Sequence, residues 1–156
     1  ERGLRPGTEN TPGIIGFAEA VRLASRHMAG DAERELILRK KMISLLKKEI
    51  PEAVINGAGD DTLPGILNVT FPYPDSETLL IYLDRHGICA SAGSACSAGA
   101  IEPSHVLTAC GFSYDEAKRT LRFSFGRESS EAEINETVIV LKEIVSIACE
   151  QKAVKK

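Results

Sequence analysis

The sequence has no tryptophan, only 5% aromatic residues, no excess of positive charge and no long apolar run. Each absence narrows what the chain can be. With 19 Lys and Arg against 22 Asp and Glu, the formal charge is −3. Nothing neutralises a row of phosphates, so nucleic acid is not an expected partner. The longest stretch without Asp, Glu, Lys, Arg or His covers residues 87–101 and is mostly Gly, Ala and Ser, whereas a membrane-spanning helix needs ~20 predominantly apolar residues. No membrane partner is expected either. The opening Glu1-Arg2-Gly3-Leu4-Arg5-Pro6 has neither an initiator Met nor a charged-then-apolar leader, and it reads as the middle of something larger. The four cysteines, Cys89, Cys96, Cys110 and Cys149, include no Cys-x-x-Cys pair. Cys96, His105 and Cys110 fit no common structural zinc spacing, so no metal is expected. In a chain able to hold a core by burial alone, these residues read as reduced thiols of a cytoplasmic protein.

What is present is ordinary globular composition: 156 residues, 43% hydrophobic and 26% charged. That suffices for one domain burying about 70% of the surface its unfolded chain exposes. Residues 11–30 combine Thr11 as a cap, Pro12 in the first turn, apolar Ile14, Phe17, Ala18, Val21, Ala24 and Met28, and Gly30 as a stop, the signature of a first helix. Asp31 then caps a second helix that Pro51 ends, with Glu33 and Glu35 in its first turn and Lys47 and Lys48 in its last. A short strand over 53–56 and a turn over 57–61 precede a strand over 66–71, where Leu67, Val69 and Phe71 alternate against Ile66, Asn68 and Thr70. Asp75 or Ser76 caps a helix that stops at Gly87, a short strand covers 88–90, and a Pro-initiated helix covers 103–110. Leu121, Phe123 and Phe125 then share one face of a strand whose other face carries Arg122 and Ser124. The last helix opens with a Ser130/Glu133 capping box and carries the stripe Ile134, Val138, Leu141, Ile144, Val145 and Ala148, before a frayed basic tail at 151–156.

The sum is an α+β fold, or small α/β sandwich: a mixed or antiparallel sheet of three or four short strands packed by four or five helices. Two helices in series before any strong strand exclude regular βαβ alternation. The expected division is an N-terminal segment and linking helix over 1–30, a small domain over 31–150 and the tail.

Three features carry chemistry. Residues 91–100 are Gly, Ala and Ser around Cys96. Nothing there is large enough to anchor the segment in a core, so an accessible thiol is expected, although a small hydrophobe in a tight turn is the bland alternative. No adjacent Lys, Arg or His lowers its pKa, so activation must come from a partner group or a substrate. Cys89, Cys110 and Cys149 read as packing residues, and His27, His86 and His105 receive no chemistry. Arg122 is either a solvent-facing strand residue or a guanidinium fork aimed at a carboxylate across a cleft. Arg5-Pro6-Gly7-Thr8 is a turn leading to a helix start, where N–H groups and the Thr8 hydroxyl suit a phosphate, a weak signal on its own.

Taken together, Arg2-Gly3-Leu4-Arg5-Pro6-Gly7-Thr8-Glu9-Asn10, Ser94-Ala95-Cys96-Ser97, Glu102-Pro103-Ser104-His105-Val106-Leu107 and Leu121-Arg122-Phe123-Ser124-Phe125-Gly126-Arg127 resemble the C-terminal part of a cysteine desulfurase. The likeness is to the NifS/IscS-like group of class V pyridoxal-phosphate enzymes, and it covers nearly the whole chain in the family's order. Ala92 departs from the pattern, since many members have a second Ser there. The resemblance implies the small C-terminal domain of a fold-type I pyridoxal-phosphate enzyme. In that scheme Cys96 attacks the sulfur of pyridoxal-bound L-cysteine, keeps it as a persulfide and releases L-alanine. Arg122 holds the substrate carboxylate. Thr8 reaches the cofactor phosphate of a neighbouring subunit, so the enzyme is a homodimer. The sulfur then goes to an iron–sulfur scaffold or another acceptor protein, and whether Cys96 transiently helps hold a cluster stays open. A nucleophile that meets a buried substrate and then an outside acceptor needs a long small-residue loop, because one fixed position cannot serve both.

The same comparison shows a gap. None of the nine lysines, Lys40, Lys41, Lys47, Lys48, Lys118, Lys142, Lys152, Lys155 and Lys156, has the family's Ser-x-His-Lys setting. The expectation is a chain without its large cofactor-binding domain, inactive alone. The alternatives are a stand-alone persulfide carrier, or part of another class V enzyme such as a selenocysteine lyase.

Overall fold

The computed structural model describes residues 3, 7–57, 59, 62–93 and 104–154. Its elements, in order, are α1 (Thr11–Glu49), β1 (Val54–Asn56), β2 (Ile66–Thr70), α2 (Ser76–Arg85), α3 (His105–Ala109), α4 (Tyr114–Ala117), β3 (Thr120–Ser124) and α5 (Glu131–Val154). The three strands form one antiparallel sheet in the order β1-β2-β3. This is the α+β arrangement expected, with no parallel pair among the described strands.

Alternation sorts the sheet. Leu67, Val69, Leu121 and Phe123 face inward, against Leu38, Met42 and Leu46 of α1, Leu79 and Leu83 of α2, and Ile134, Val138, Leu141 and Val145 of α5. The α1 positions are four apart, so they form one stripe on consecutive turns. Burying each such side chain contributes about 1.5–3 kcal/mol. The Ser130/Glu133 capping box forms: the Ser130 N–H donates to Glu133 Oε2 at 2.7 Å, and the Glu133 N–H donates to Ser130 Oγ at 3.3 Å.

Several expectations fail. The two helices expected over 11–30 and 31–50 are one helix of 39 residues. Gly30 is a propensity penalty of about 1 kcal/mol relative to Ala and nothing more: a Cβ added there would meet no atom within 4 Å. Asp31 caps nothing and instead pairs with Arg127 at 2.6 Å. The cap is Asn10, one residue before Thr11, whose side chain accepts from the Gly13 N–H at 3.2 Å. Burial begins only at Asp31; positions 11–30 are exposed, including the apolar Ile14, Phe17, Val21 and Met28. Residues 88–90 form no strand, and only Ser91 makes an isolated bridge, to Arg122. The tail does not fray at 151, since α5 runs to Val154. A four-residue helix, α4, was not expected; its own capping box, Ser113 with Glu116, holds it. Arg39, a charged residue on α1, is buried and donates to the carbonyls of Ile66 at 3.0 Å and Gly57 at 3.4 Å, tying the β1–β2 connection to the helix layer. No helix among the described residues is long and apolar enough to cross a membrane.

Candidate functional site

The face of the sheet opposite the core is mainly polar, with the exposed apolar Val54 and Ile66 at its margins. It carries Asn56 on β1, Asn68 and Thr70 on β2, and Thr120, Arg122 and Ser124 on β3; in register, Asn56 lies opposite Asn68 and Asn68 opposite Arg122. Exposure rises along it: Thr70 and Thr120 are buried, Asn56, Asn68 and Arg122 are half-buried and Ser124 is exposed. Arg122 is thus neither a free surface residue nor a core residue. Its guanidinium makes no hydrogen bond or ion pair among the described residues. A half-buried guanidinium with five donors and no carboxylate suits a planar anion arriving from outside.

The backbone of Arg122 fixes the second element. Its N–H donates to the Ser91 carbonyl at 2.6 Å and its carbonyl accepts from the Ser91 N–H at 3.0 Å. Two residues on, Gly93 lies beside Ser104, whose Cβ would be 4.0 Å from a Cβ built on Gly93. The two ends of the intervening segment therefore meet next to the Arg122 strand. Cys96 and its neighbours in 94–103 lie outside the described residues.

Thr8 is exposed and belongs to the approach to α1, two residues before the cap. From Thr11 to Leu38, where the helix is buried in the core, a rise of about 1.5 Å per residue gives roughly 40 Å. The structure does not bring Thr8 to Arg122. The three described cysteines depart from expectation: Cys89, Cys110 and Cys149 are free and exposed, not packing residues. Ile88 and Ala90 turn toward the core, so alternation sends Cys89 outward. Cys110 caps the end of α3, and Cys149 sits four positions past Val145, the last buried residue of α5 among the described ones.

Near the site the electrostatics are simple. The Ser113 hydroxyl, then the Ser113 N–H, hold the Glu116 carboxyl below the usual carboxylate range. That fixes α4, whose last turn presents the Glu116 carbonyl to Thr120 Oγ1 at 2.7 Å. A cavity of about 390 Å³, lined by Met42, His86, Cys89, Phe123, Glu133 and Thr137 among others, does not include Arg122. The described lysines do not complete a pyridoxal site. Lys41 pairs with Glu131 and Lys142 with Glu49, Lys48 reaches Glu49, Lys118 lies over Tyr114 and Lys152 over Tyr73, while Lys40 and Lys47 are exposed on α1. None of these stands beside Arg122, so the described lysines do not fit pyridoxal phosphate.

A three-stranded antiparallel sheet with helices on its apolar face and, among the described residues, an unpartnered arginine on the other defines a small α+β module. The aminotransferase class-V family model matches residues 1–136, and the chain belongs to that family. It is similar to the cysteine desulfurase of Trichormus azollae, 42% identical over 93% of this chain and 36% of that protein. It is also similar to cysteine desulfurase IscS 1 of Archaeoglobus fulgidus, 39% identical over 93% of this chain and 38% of that protein. Among solved structures, a NifS-like protein from Rickettsia africae superimposes with a TM-score of 0.77 at 30% identity, covering 91% of this chain and 36% of that one. The chain spans about a third of the length of the relatives it matches.

Proposed function

We propose that the chain is the small-domain portion of a cysteine desulfurase. The observation that carries this reading is the Ser91–Arg122 bridge, which roots the Cys96 segment on the strand that presents the open guanidinium. Relatives named cysteine desulfurase at about 40% identity over more than nine-tenths of the chain support it.

Arg122 grips the carboxylate of L-cysteine, which sets the substrate's side chain in a fixed direction from the sheet. The Cys96 thiolate attacks the substrate sulfur. A new S–S bond forms as the substrate's C–S bond breaks, the carbon side takes up a proton and leaves as L-alanine, and the persulfide stays on Cys96. The segment then carries that sulfur to an acceptor protein, an iron–sulfur scaffold being the acceptor class that fits. Pyridoxal phosphate, the electron sink for this chemistry, is held by the part of the enzyme that the relatives have beyond the match. Thr8, roughly 40 Å from the core along α1, serves the cofactor phosphate of a second subunit, which makes the working unit a homodimer. Three exposed, unpaired thiols suit a reducing compartment, the cytoplasm.

The test joins this chain to the cofactor-binding portion of a relative and supplies L-cysteine. Alanine release and a persulfide on Cys96 are expected, both abolished in Cys96→Ser. Undiminished alanine release by Cys96→Ser overturns the reading. A persulfide on the isolated chain after incubation with a separate desulfurase, without catalysis in the joined form, favours a sulfur carrier instead.

A further inference from the structure

A line of hydrogen bonds crosses the polar face of the sheet, and its direction is forced. The Thr120 hydroxyl donates to the Glu116 carbonyl at 2.7 Å. Its single proton is then used, so in the 2.7 Å contact between Thr120 Oγ1 and Thr70 Oγ1 the proton belongs to Thr70. Thr70 Oγ1 therefore accepts from the third member, Asn56, whose Nδ2 lies 2.8 Å away. That fixes the Asn56 amide with its NH2 toward Thr70, and the same nitrogen donates to Asn68 Oδ1 at 2.8 Å. Asn56 Oδ1 is left buried with no partner. An orphaned buried acceptor is unfavourable, and turning the amide over would expose that oxygen to Thr70 and Asn68 instead. It stays as it is because Thr70 has no proton left to give it.

The consequence falls on Asn68. Its carbonyl oxygen is turned to the β1 side, where it accepts from Asn56, and it makes no hydrogen bond with Arg122, its partner on the β3 side. Its own NH2 makes no hydrogen bond among the described residues, and it is not shut away from solvent, since Asn56 Oδ1 is the buried unpartnered side-chain atom. Directly opposed residues have Cβ atoms about 4.5–5.5 Å apart. Two sets of donors thus stand side by side on the open face, and the acceptor that could have tied up the guanidinium is turned away.

We propose that Asn68 is a second carboxylate-binding residue beside Arg122, held donor-outward by the Glu116–Thr120–Thr70–Asn56 hydrogen-bond line. The inference rests on Arg122 being the carboxylate clamp. The guanidinium fork takes both carboxylate oxygens and the Asn68 amide adds a donor to one of them, so the line favours an anion at a position where an asparagine in its other orientation would occupy the guanidinium's donors.

The experiment titrates the ¹⁵N-labelled 156-residue chain with L-alanine, using L-alaninamide, which lacks the carboxylate, as the control. The Asn68 side-chain amide and the Arg122 Nε–H signals should move together, saturate with one dissociation constant and ignore the control. Asn68→Ala should weaken L-alanine binding at least about threefold, and Asn68→Asp, which places a carboxylate against the guanidinium, at least about tenfold. If Arg122 titrates while the Asn68 amide stays still, or if Asn68→Ala binds as tightly as the parent chain, the role of Asn68 is refuted and the clamp survives. A silent Arg122 refutes the clamp and the inference together.

Discussion

Leu121 and Arg122 are adjacent on β3 and face opposite environments. Leu121 is wholly buried against α1, α2 and α5 with Leu67 and Val69; Arg122 is half-buried on the polar side, with Asn68 opposite it and Ser91 bonded to its backbone. The ladder of backbone hydrogen bonds is common to both faces, so the difference lies in the side chains alone. One face holds the sheet together through apolar burial. The other is assembled from hydrogen-bonded amides and hydroxyls that leave one cation available. Because a strand has a period of two, stability and binding are encoded in alternate letters of one short sequence.

The sharpest way to break this comparison is to cut neighbouring residues. Leu121→Ala should destabilise the chain by about 2–5 kcal/mol, the range for truncating a fully buried leucine, read as a lower urea midpoint. Arg122→Lys should leave that midpoint within about 0.5 kcal/mol, yet in the joined enzyme it should lower kcat/KM for L-cysteine by roughly 5- to 150-fold, equivalent to about 1–3 kcal/mol for a lost charged fork. Equal losses of stability would mean that the polar face also carries the fold. Next in size is Thr120→Val, which removes the hydroxyl between Glu116 and Thr70 while keeping the shape. About 1–3 kcal/mol of stability should go, since the Thr70 hydroxyl loses its acceptor in a buried place.

The same alternation explains what could be read from the sequence. Leu121, Phe123 and Phe125 against Arg122 and Ser124 is a pattern inside one segment, and the structure follows it. The Ser130/Glu133 box and the α5 stripe are local as well. What escaped was settled by distant parts of the chain. Asn68 and Thr70 were visible as a polar face of β2, but their meaning depends on register with Asn56 and Arg122, which no local pattern states. Gly30-Asp31 carries the signals of a stop and a cap, yet the helix continues because α1 packs on α5 and Asp31 is drawn to Arg127. Cys89 reads as a packing residue of a short strand, but Ile88 and Ala90 take the inward positions and the thiol is left outside. For the Cys96 segment, composition and the position of its two ends carry the reading.

The smallest effect concerns pH and separates the two layers again. Asn56, Asn68, Thr70 and Thr120 carry no ionisable side chain, whereas the helix layer is tied by carboxylates. Glu49 at the end of α1 accepts from Lys142 of α5 at 2.7 Å, and hydrogen bonds from Lys142 first and Lys48 second hold its carboxyl below the usual range. A depressed carboxylate means that the unfolded chain takes up the proton at higher pH than the folded one. The tie therefore stabilises above the ordinary carboxylate value of roughly 4.3 and is lost as pH falls through the lower folded value. Glu49→Gln should unfold at a lower urea concentration than the parent at neutral pH, with the gap closing in acid. Since Glu49 and Lys142 are partly solvated, that gap should also shrink as salt is added, while the Asn56 and Asn68 side-chain amide signals keep their positions from neutral pH down to the start of the transition. Movement of those amides before the helices loosen would show that the polar face depends on the helix layer's charges, and that the two faces are not independent.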